Sequence, residues 1–117
     1  MLDHMGFYCK NLQESKEFYI KILKPLGHEL RIDNEFFCSF GPDDLFNIGK
    51  GGTSGGCHVA FKAKTRAEVD EFYKAGLEAG GKDNGAPGIR AHYGPKYYAA
   101  FILDLDGNNV EAVCQSE

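Results

Sequence analysis

Two stretches of the chain alternate hydrophobic and polar positions with a period of two, and a helical pattern follows each of them. Alternation of this kind predicts β-strands, because successive side chains of a strand point to opposite faces. The hydrophobic faces of the two strands carry Met5, Phe7 and Cys9 in the first and Val59, Phe61 and Ala63 in the second. His4 and His58 lie on the opposite, less hydrophobic faces. Both histidines are therefore predicted to face a cavity.

The start of a helix is signalled in the same way after both strands. Asn11 and Thr65 are polar N-cap residues, and a glutamate follows each of them three residues later. This spacing is that of a capping box. Pro25 and Gly27 predict the end of the first helix, and Gly80-Gly81 predicts the end of the second.

Shorter runs typical of strands complete each half of the chain. They cover residues 28–32, 35–40, 45–48, 96–103 and 109–114. Asp106-Gly107-Asn108 separates the last two runs and predicts a hairpin turn. The pattern therefore predicts an α+β fold with two tandem β-α-β-β-β modules that form a curved mixed sheet.

The two halves also share sequence. Residues 58–81 align with residues 4–27 with nine identities in twenty-four positions, where unrelated segments would give roughly one or two. His58 falls on His4 in this alignment. We expect a first module at about 1–49, a glycine-rich linker at 49–56 and a second module at about 57–117, within a single domain of residues 1–117.

Charge and composition narrow the classes of function. The net charge is −4 and no basic run occurs, so nothing favours binding to nucleic acid or an anionic membrane. No apolar run approaches the roughly 20 residues that span a bilayer, and the N-terminus lacks a signal-peptide pattern. The four cysteines are dispersed, without a CxxC pattern. We therefore expect reduced thiols and a cytoplasmic location.

The doubled unit, with a histidine at the start of each copy, resembles the vicinal oxygen chelate superfamily of glyoxalases, bleomycin resistance proteins and extradiol dioxygenases. The segments that carry the resemblance are LDHMGFYCKNLQESKEFYIKIL, CHVAF and DLDGNNVEAV, and the last is similar to the closing segment of glyoxalase-like proteins. The resemblance covers essentially the whole chain. It implies a U-shaped cup, with metal ligands on the first and last strands of each module.

Mapped onto this chain, the resemblance implies ligand positions at His4, Asn47, His58 and Glu111. His4, His58 and Glu111 form the expected metal site, for a divalent ion such as Fe, Mn, Ni or Zn. The alternative for these residues is two hydrogen-bonded strand histidines and a surface carboxylate. In glyoxalase I the position of Asn47 would carry a glutamate that also moves a proton, which an asparagine cannot do. Asn47 is therefore expected to bind substrate.

Residues 84–101 combine glycines and prolines with cationic and aromatic side chains. We expect a loop there that forms the rim of a substrate site, with Arg90 or Lys96 meeting a carboxylate or phosphate. Tyr93 or Tyr98 would hydrogen-bond a substrate oxygen, and Tyr98 and Glu111 are the predicted catalytic residues. The alternative is a solvated loop that leads into an aromatic-rich strand.

Two functions follow as hypotheses. The first is a divalent-metal-dependent enzyme for a small oxygenated substrate, of the lyase or isomerase, dioxygenase or thiol-transferase type. The second is a metal-free protein that binds a small molecule, as in resistance proteins, with the same cup. Short members of the superfamily commonly pair, so we also expect a homodimer in which one chain supplies His58 and the other supplies His4 and Glu111.

Overall fold

The computed structural model describes residues 1–117, and its elements form two similar runs. The first module contains β1 (Met5–Cys9), α1 (Leu12–Leu23), β2 (Leu30–Asp33), β3 (Phe37–Phe40) and β4 (Phe46–Lys50). The second contains β5 (His58–Lys62), α2 (Arg66–Glu78), β6 (Lys82–Ile89), β7 (Tyr98–Leu103) and β8 (Asn109–Cys114). Short 3-10 helices at Lys24–Leu26 and Pro42–Asp44 interrupt the first module. No helix is both long enough and apolar enough to cross a membrane.

Each module forms a four-stranded mixed sheet, and the two sheets have the same strand order. The orders are β1-β4-β3-β2 and β5-β8-β7-β6, with the first strand of each module parallel to the last. The predicted α+β class with two β-α-β-β-β modules is confirmed. The expected curved sheet is present as two sheets, one for each module.

The helices begin where the capping signals predict. The side chain of Asn11 accepts a hydrogen bond from the backbone N–H of Glu14 at 3.0 Å. Thr65 accepts one from Glu68 in the same way at 3.1 Å. Each cap satisfies a backbone donor that the first helical turn leaves free.

The two modules share one hydrophobic core, which fixes their relative position. Phe46 of β4 and Phe61 of β5 meet edge to face with ring centroids 5.1 Å apart. Nearby, the hydroxyl of Tyr19 donates to the buried carboxylate of Asp104 at 2.5 Å. That carboxylate also accepts the backbone N–H groups of Asp106 and Asn108. The turn before β8 is thereby tied to α1 of the first module.

The structure corrects the sequence-based boundaries in two places. Residues 82–89, of which all but the first two fall in the predicted loop at 84–101, form the edge strand β6. An edge strand tolerates Pro87, and the register shifts between Asp83 and Gly88 are bulges that glycine permits. In addition, β4 continues to Lys50, so the predicted linker begins inside a strand.

Candidate functional site

The residues of the second module that were predicted as metal ligands lie side by side. Strands β5 and β8 are parallel neighbours, with Ala60 opposite Glu111. This register brings His58, two residues before Ala60, within reach of Glu111. The His58 Nε2 and Glu111 Oε1 atoms are 3.1 Å apart. The side chain of Glu111 is 3% exposed and that of His58 is 48% exposed, so a buried carboxylate meets a half-exposed imidazole.

The second ring nitrogen of His58 is also engaged. Nδ1 lies 3.0 Å from the carbonyl oxygen of Asn109, and a carbonyl oxygen only accepts hydrogen bonds. Nδ1 therefore carries a proton. Nε2 faces Glu111 Oε1, and this contact requires a proton between the two atoms, which a metal ion bound at Nε2 would replace.

A residue that the sequence did not single out completes this group. The hydroxyl of Tyr97 donates to Glu111 Oε2 at 2.5 Å. Burial and the adjacent Glu111 carboxylate raise the pKa of Tyr97 to about 12. The phenol is therefore protonated at neutral pH and acts as a donor. Both oxygens of Glu111 are thus held, one by Tyr97 and one by His58.

Tyr98, predicted to be catalytic, lies elsewhere. Its hydroxyl donates to Asp70 of α2 at 2.6 Å, and its ring contacts the guanidinium of Arg66. Because side chains alternate along β7, Tyr98 lies on the face that packs against α2, opposite to the face of Phe101 and Glu111. The structure therefore places Tyr97, and not Tyr98, at Glu111.

Arg90 contacts the ring of Phe101, which in turn lies beside His58. Its guanidinium donates to the carbonyl oxygens of Gly88 at 2.8 Å and Ala86 at 2.7 Å, and it lies 5.3 Å above the ring of Phe101. The ring of Phe101 in turn stacks beside His58, with centroids 6.4 Å apart. A Cβ on Gly85 would lie 2.9 Å from Phe101 and 3.0 Å from Arg90, so this stack requires a glycine there.

The other predicted rim residues are exposed. The ring of Tyr93 is 5.2 Å from that of Tyr97 and also contacts His92. Lys96 is exposed and makes no hydrogen bond or ion pair. Tyr93 therefore extends the aromatic surface next to Tyr97, while Lys96 is an exposed cation in the residue before Tyr97.

The first module carries the other two predicted residues around a separate hollow of about 350 Å³. His4 is mostly exposed, and its Nδ1 lies 2.8 Å from the carboxylate of its neighbour Asp3. The amide of Asn47 donates to the carbonyl oxygen of Asp44 at 3.2 Å and more weakly to that of Met5. No residue of the second module lines this hollow.

The register of the two sheets shows which positions correspond. Gly6 is opposite Asn47 in the first sheet, and Ala60 is opposite Glu111 in the second. Gly6 and Ala60 are themselves equivalent in the sequence repeat. The alignment of Asn47 with Glu111 is thus supported by strand pairing, and the same scaffold presents an amide in one module and a carboxylate in the other.

These residues fit one half of a metal centre. Bonds of about 2.1 Å place neighbouring ligand atoms about 3 Å apart on an ion, which matches the separation of His58 Nε2 and Glu111 Oε1. However, no three His, Cys, Asp or Glu side chains of one chain come together to hold a metal. His4 belongs to the other hollow. The expected partition, with His58 in one chain and Glu111 in the other, is wrong, because these two residues pair within one chain.

The largest hollow, of about 420 Å³, lies between the end of α1 and β5. Its walls are mainly apolar and include Phe40, Phe46 and Phe61, with Lys62 and Lys64 also lining it. None of the predicted site residues lines it. Size alone therefore does not locate the candidate chemistry.

Comparison with known proteins gives matches at the level of structure. No protein-family model matches the chain, and no curated protein matches it. A glyoxalase/bleomycin resistance protein from Albidiferax ferrireducens T118 is 26% identical, with a TM-score of 0.82 over 95% of this chain and 96% of its own.

Two more distant structures have named activities. Lactoylglutathione lyase from Agrobacterium tumefaciens is 20% identical, with a TM-score of 0.70 over 95% of this chain and 90% of its own. The fosfomycin resistance protein FosX from Listeria monocytogenes, solved as a mutant with Mn(II) and 1S,2S-dihydroxypropylphosphonic acid, is 19% identical. Its TM-score is 0.72 over 97% of this chain and 88% of its own. At these identities the likeness shows the fold, and together the neighbours confirm the resemblance to the vicinal oxygen chelate superfamily.

Proposed function

Because this chain has the fold of the glyoxalase/bleomycin resistance/dioxygenase proteins, we propose that it is a divalent-metal-dependent enzyme for a small oxygenated substrate. The observation that carries the proposal is the contact between His58 Nε2 and Glu111 Oε1, at the spacing of two ligands on one ion. The Mn(II) bound by the related FosX structure supports it. The reaction is of the lyase or isomerase, dioxygenase or thiol-transferase type.

The third ligand, His4, comes from a second copy of the chain. Within one chain His4 lines a different hollow from the His58–Glu111 pair, so a single copy holds two incomplete halves. In a twofold dimer the first module of each chain faces the second module of the other, which completes two equivalent sites. Fe, Mn, Ni and Zn all accept two imidazoles and one carboxylate with positions left open.

The side chains around the proposed site have separate chemical roles. A bound ion would polarise a carbonyl or bind adjacent substrate oxygens. Glu111 is the carboxylate of the half-site and is the group that can hold a proton, whereas Asn47 binds substrate through its amide oxygen, since its N–H donors are bonded to backbone carbonyls. Arg90 retains N–H donors for a substrate carboxylate or phosphate, and Lys96 is a second, exposed cation of the same segment.

The first test is metal content and mass. Protein purified without chelators should contain or take up about one divalent ion per chain, and light scattering should give the mass of a dimer. A monomer that takes up no transition metal would overturn both parts of the proposal. All four cysteines are free thiols, so the purification needs a reductant, as suits the cytoplasmic location that we also propose.

The second test is subunit mixing between inactive variants. When His4→Ala and His58→Ala chains exchange, half of the dimers are mixed and each mixed dimer has one intact site, so about a quarter of the sites should return. The matched control mixes His58→Ala with Glu111→Ala. Both changes lie in the same module, so every site of that mixed dimer keeps one defect and no binding should return. Recovery in the control would refute the division of the site between chains.

A metal-free binding protein is the second candidate function. The observation that favours it is that His58 and Glu111 already satisfy each other, beside the aromatic rings of Tyr93, Tyr97 and Phe101. A planar ligand would stack on those rings and need no ion. Binding of such a ligand that persists unchanged in His4→Ala and His58→Ala proteins would establish this function in place of the enzyme.

A further inference from the structure

The position of Tyr97 is fixed by its backbone. Its carbonyl oxygen accepts the N–H of Arg90 at 2.8 Å, and its N–H donates to the carbonyl oxygen of Gly94 at 3.3 Å. The segment from Arg90 to Tyr97 is thus closed by main-chain hydrogen bonds immediately before β7 begins. The hydroxyl is therefore presented by a rigid part of the fold and not by a free loop.

The acceptor of that hydroxyl is a carboxylate that the fold removes from water. Glu111 is 2% exposed, and burial of an unpaired carboxylate costs several kcal/mol, which hydrogen bonds must offset. Tyr97 satisfies Oε2 at 2.5 Å and His58 faces Oε1 at 3.1 Å. A bond from a neutral donor to an ionised acceptor is among the stronger hydrogen bonds of proteins.

The terminal torsion of a glutamate is broad and roughly twofold, so packing alone sets the plane of its carboxylate weakly. We propose that Tyr97 is a positioning residue. Its hydroxyl holds Oε2, so that Oε1 stays beside His58 Nε2 as the one oxygen of Glu111 that is open to a metal ion. Without the hydroxyl, Oε2 is released and the carboxylate turns. Partners of this kind outside the ligand sphere typically contribute 10–100-fold to metal affinity.

The neighbouring tyrosine supplies a matched control. Tyr98 also donates its hydroxyl to a carboxylate, that of Asp70, but on the face of β7 that packs against α2. Tyr97→Phe and Tyr98→Phe therefore remove the same group and the same type of bond from adjacent residues. Only the first is expected to alter the site.

The first experiment uses metal-free protein and histidine ¹⁵N NMR, so it does not depend on the proposed function. In Tyr97→Phe the ring nitrogen signals of His58 should shift, while those of His4 and His28, which do not contact this group, should stay. In Tyr98→Phe all three should stay. A purely structural role for the hydroxyl would lower the melting temperature without moving the His58 signals selectively. Unmoved His58 signals in folded Tyr97→Phe would overturn the inference.

The second experiment adds Co(II) alone and rests on the proposed function. Tyr97→Phe should bind Co(II) about 10–100-fold more weakly and change its visible absorption bands, because the released oxygen alters the coordination number. Tyr98→Phe should match the wild type in both readouts. If wild-type protein binds no Co(II), the proposed function fails and the NMR result alone decides the role of Tyr97. If Co(II) binds equally to both variants with one spectrum, the positioning role is refuted.

Discussion

The two modules have the same strand order and register, yet their potential ligand positions are in different states. In the second module His58 and Glu111 are in contact, and Tyr97 and Asn109 hold them from either side. In the first module His4 is exposed and paired only with its neighbour Asp3. The repeated scaffold thus keeps its strand order and register while one copy brings a histidine and a carboxylate into contact and the other leaves its histidine exposed.

The difference is concentrated at one pair of equivalent positions. Glu111 is buried and carries a carboxyl group, whereas Asn47 carries an amide whose N–H donors are bonded to backbone carbonyls. Strand pairing places both residues opposite equivalent small residues of the first strand. The shared backbone therefore fixes the position, and the side chain decides whether an amide or a carboxylate occupies it.

The largest expected effect comes from removing the histidines at the equivalent positions 4 and 58. His4→Ala and His58→Ala should each weaken binding of Mn(II) by more than about a hundredfold in titration calorimetry, because each removes a ligand and not an outer partner. Their effects on stability in EDTA should differ. His58→Ala leaves a buried carboxylate oxygen unpaired and should lower the free energy of unfolding by about 1–3 kcal/mol, whereas His4→Ala should leave it unchanged. Unchanged metal binding in His4→Ala would contradict the proposal that His4 of one chain completes the site of the other.

A smaller effect is expected when Asn47 is replaced by the residue of the second module. Asn47→Glu places an anionic oxygen beside the ion and should raise the affinity for Mn(II) about tenfold, since ligand charge is a main determinant of affinity for divalent ions. Asn47→Gln is the control, because it lengthens the side chain without adding charge, and it should not strengthen binding. An equal rise in both variants would show that the length of the side chain, and not its charge, limits the affinity for Mn(II) at this position.

Much of this architecture is readable from the sequence because it is local. The alternation around Phe7 and Phe61, the caps at Asn11 and Thr65 and the turn at Gly107 are each specified within a few residues, and each was predicted. Strand β6 was missed because its glycines and Pro87 are signals for a loop, and only pairing with β7 makes them compatible with an edge strand.

The site was less predictable because it depends on register and packing. Which of two adjacent tyrosines meets Glu111 is decided by where β7 begins and by its pairing with β8, and neither is encoded nearby. The pairing of His58 with Glu111 was within reach of the sequence, since parallel first and last strands bring Ala60 opposite Glu111. The separation of His4 from that pair follows from how the modules pack, which is a long-range property.

The two helices differ at one equivalent buried position, and a measurement of stability can test the consequence. In the repeat Gly76 of α2 corresponds to Ile22 of α1, and both are buried. A Cβ on Gly76 would overlap Cδ1 of Ile102, which is itself fully buried. Gly76→Ala should therefore lower the free energy of unfolding by about 1 kcal/mol, since an overpacking cost of about 1–3 kcal/mol exceeds the helix-propensity gain.

The double variant Gly76→Ala with Ile102→Val separates these two terms. Valine lacks the Cδ1 atom, so the clash is relieved while the helix-propensity gain remains. Urea unfolding should show the double variant to be more stable than the sum of the two single changes predicts. Additive losses would mean that the close approach to Ile102 does not limit this position.

The smallest expected effect is on the pH dependence of stability, and it arises from a position that differs between β3 and β7. Cys38 of β3 corresponds to Ala100 of β7, because each lies opposite the residue that follows Asn47 or Glu111. Burial raises the pKa of the Cys38 thiol from its ordinary 9.0 to about 11. The unfolded chain therefore loses this proton first as the pH rises, so the stability contributed by the neutral buried thiol is present below pH 9 and declines between the two values.

Between pH 8 and pH 9.5 the loss of this contribution should lower the free energy of unfolding by about 0.8 kcal/mol. Cys38→Ala, which installs the residue of the second module, should remove that part of the slope in urea titrations. Cys57→Ala removes an exposed thiol and should keep the wild-type slope, and an equal change in both variants would show that burial of Cys38 is not its source.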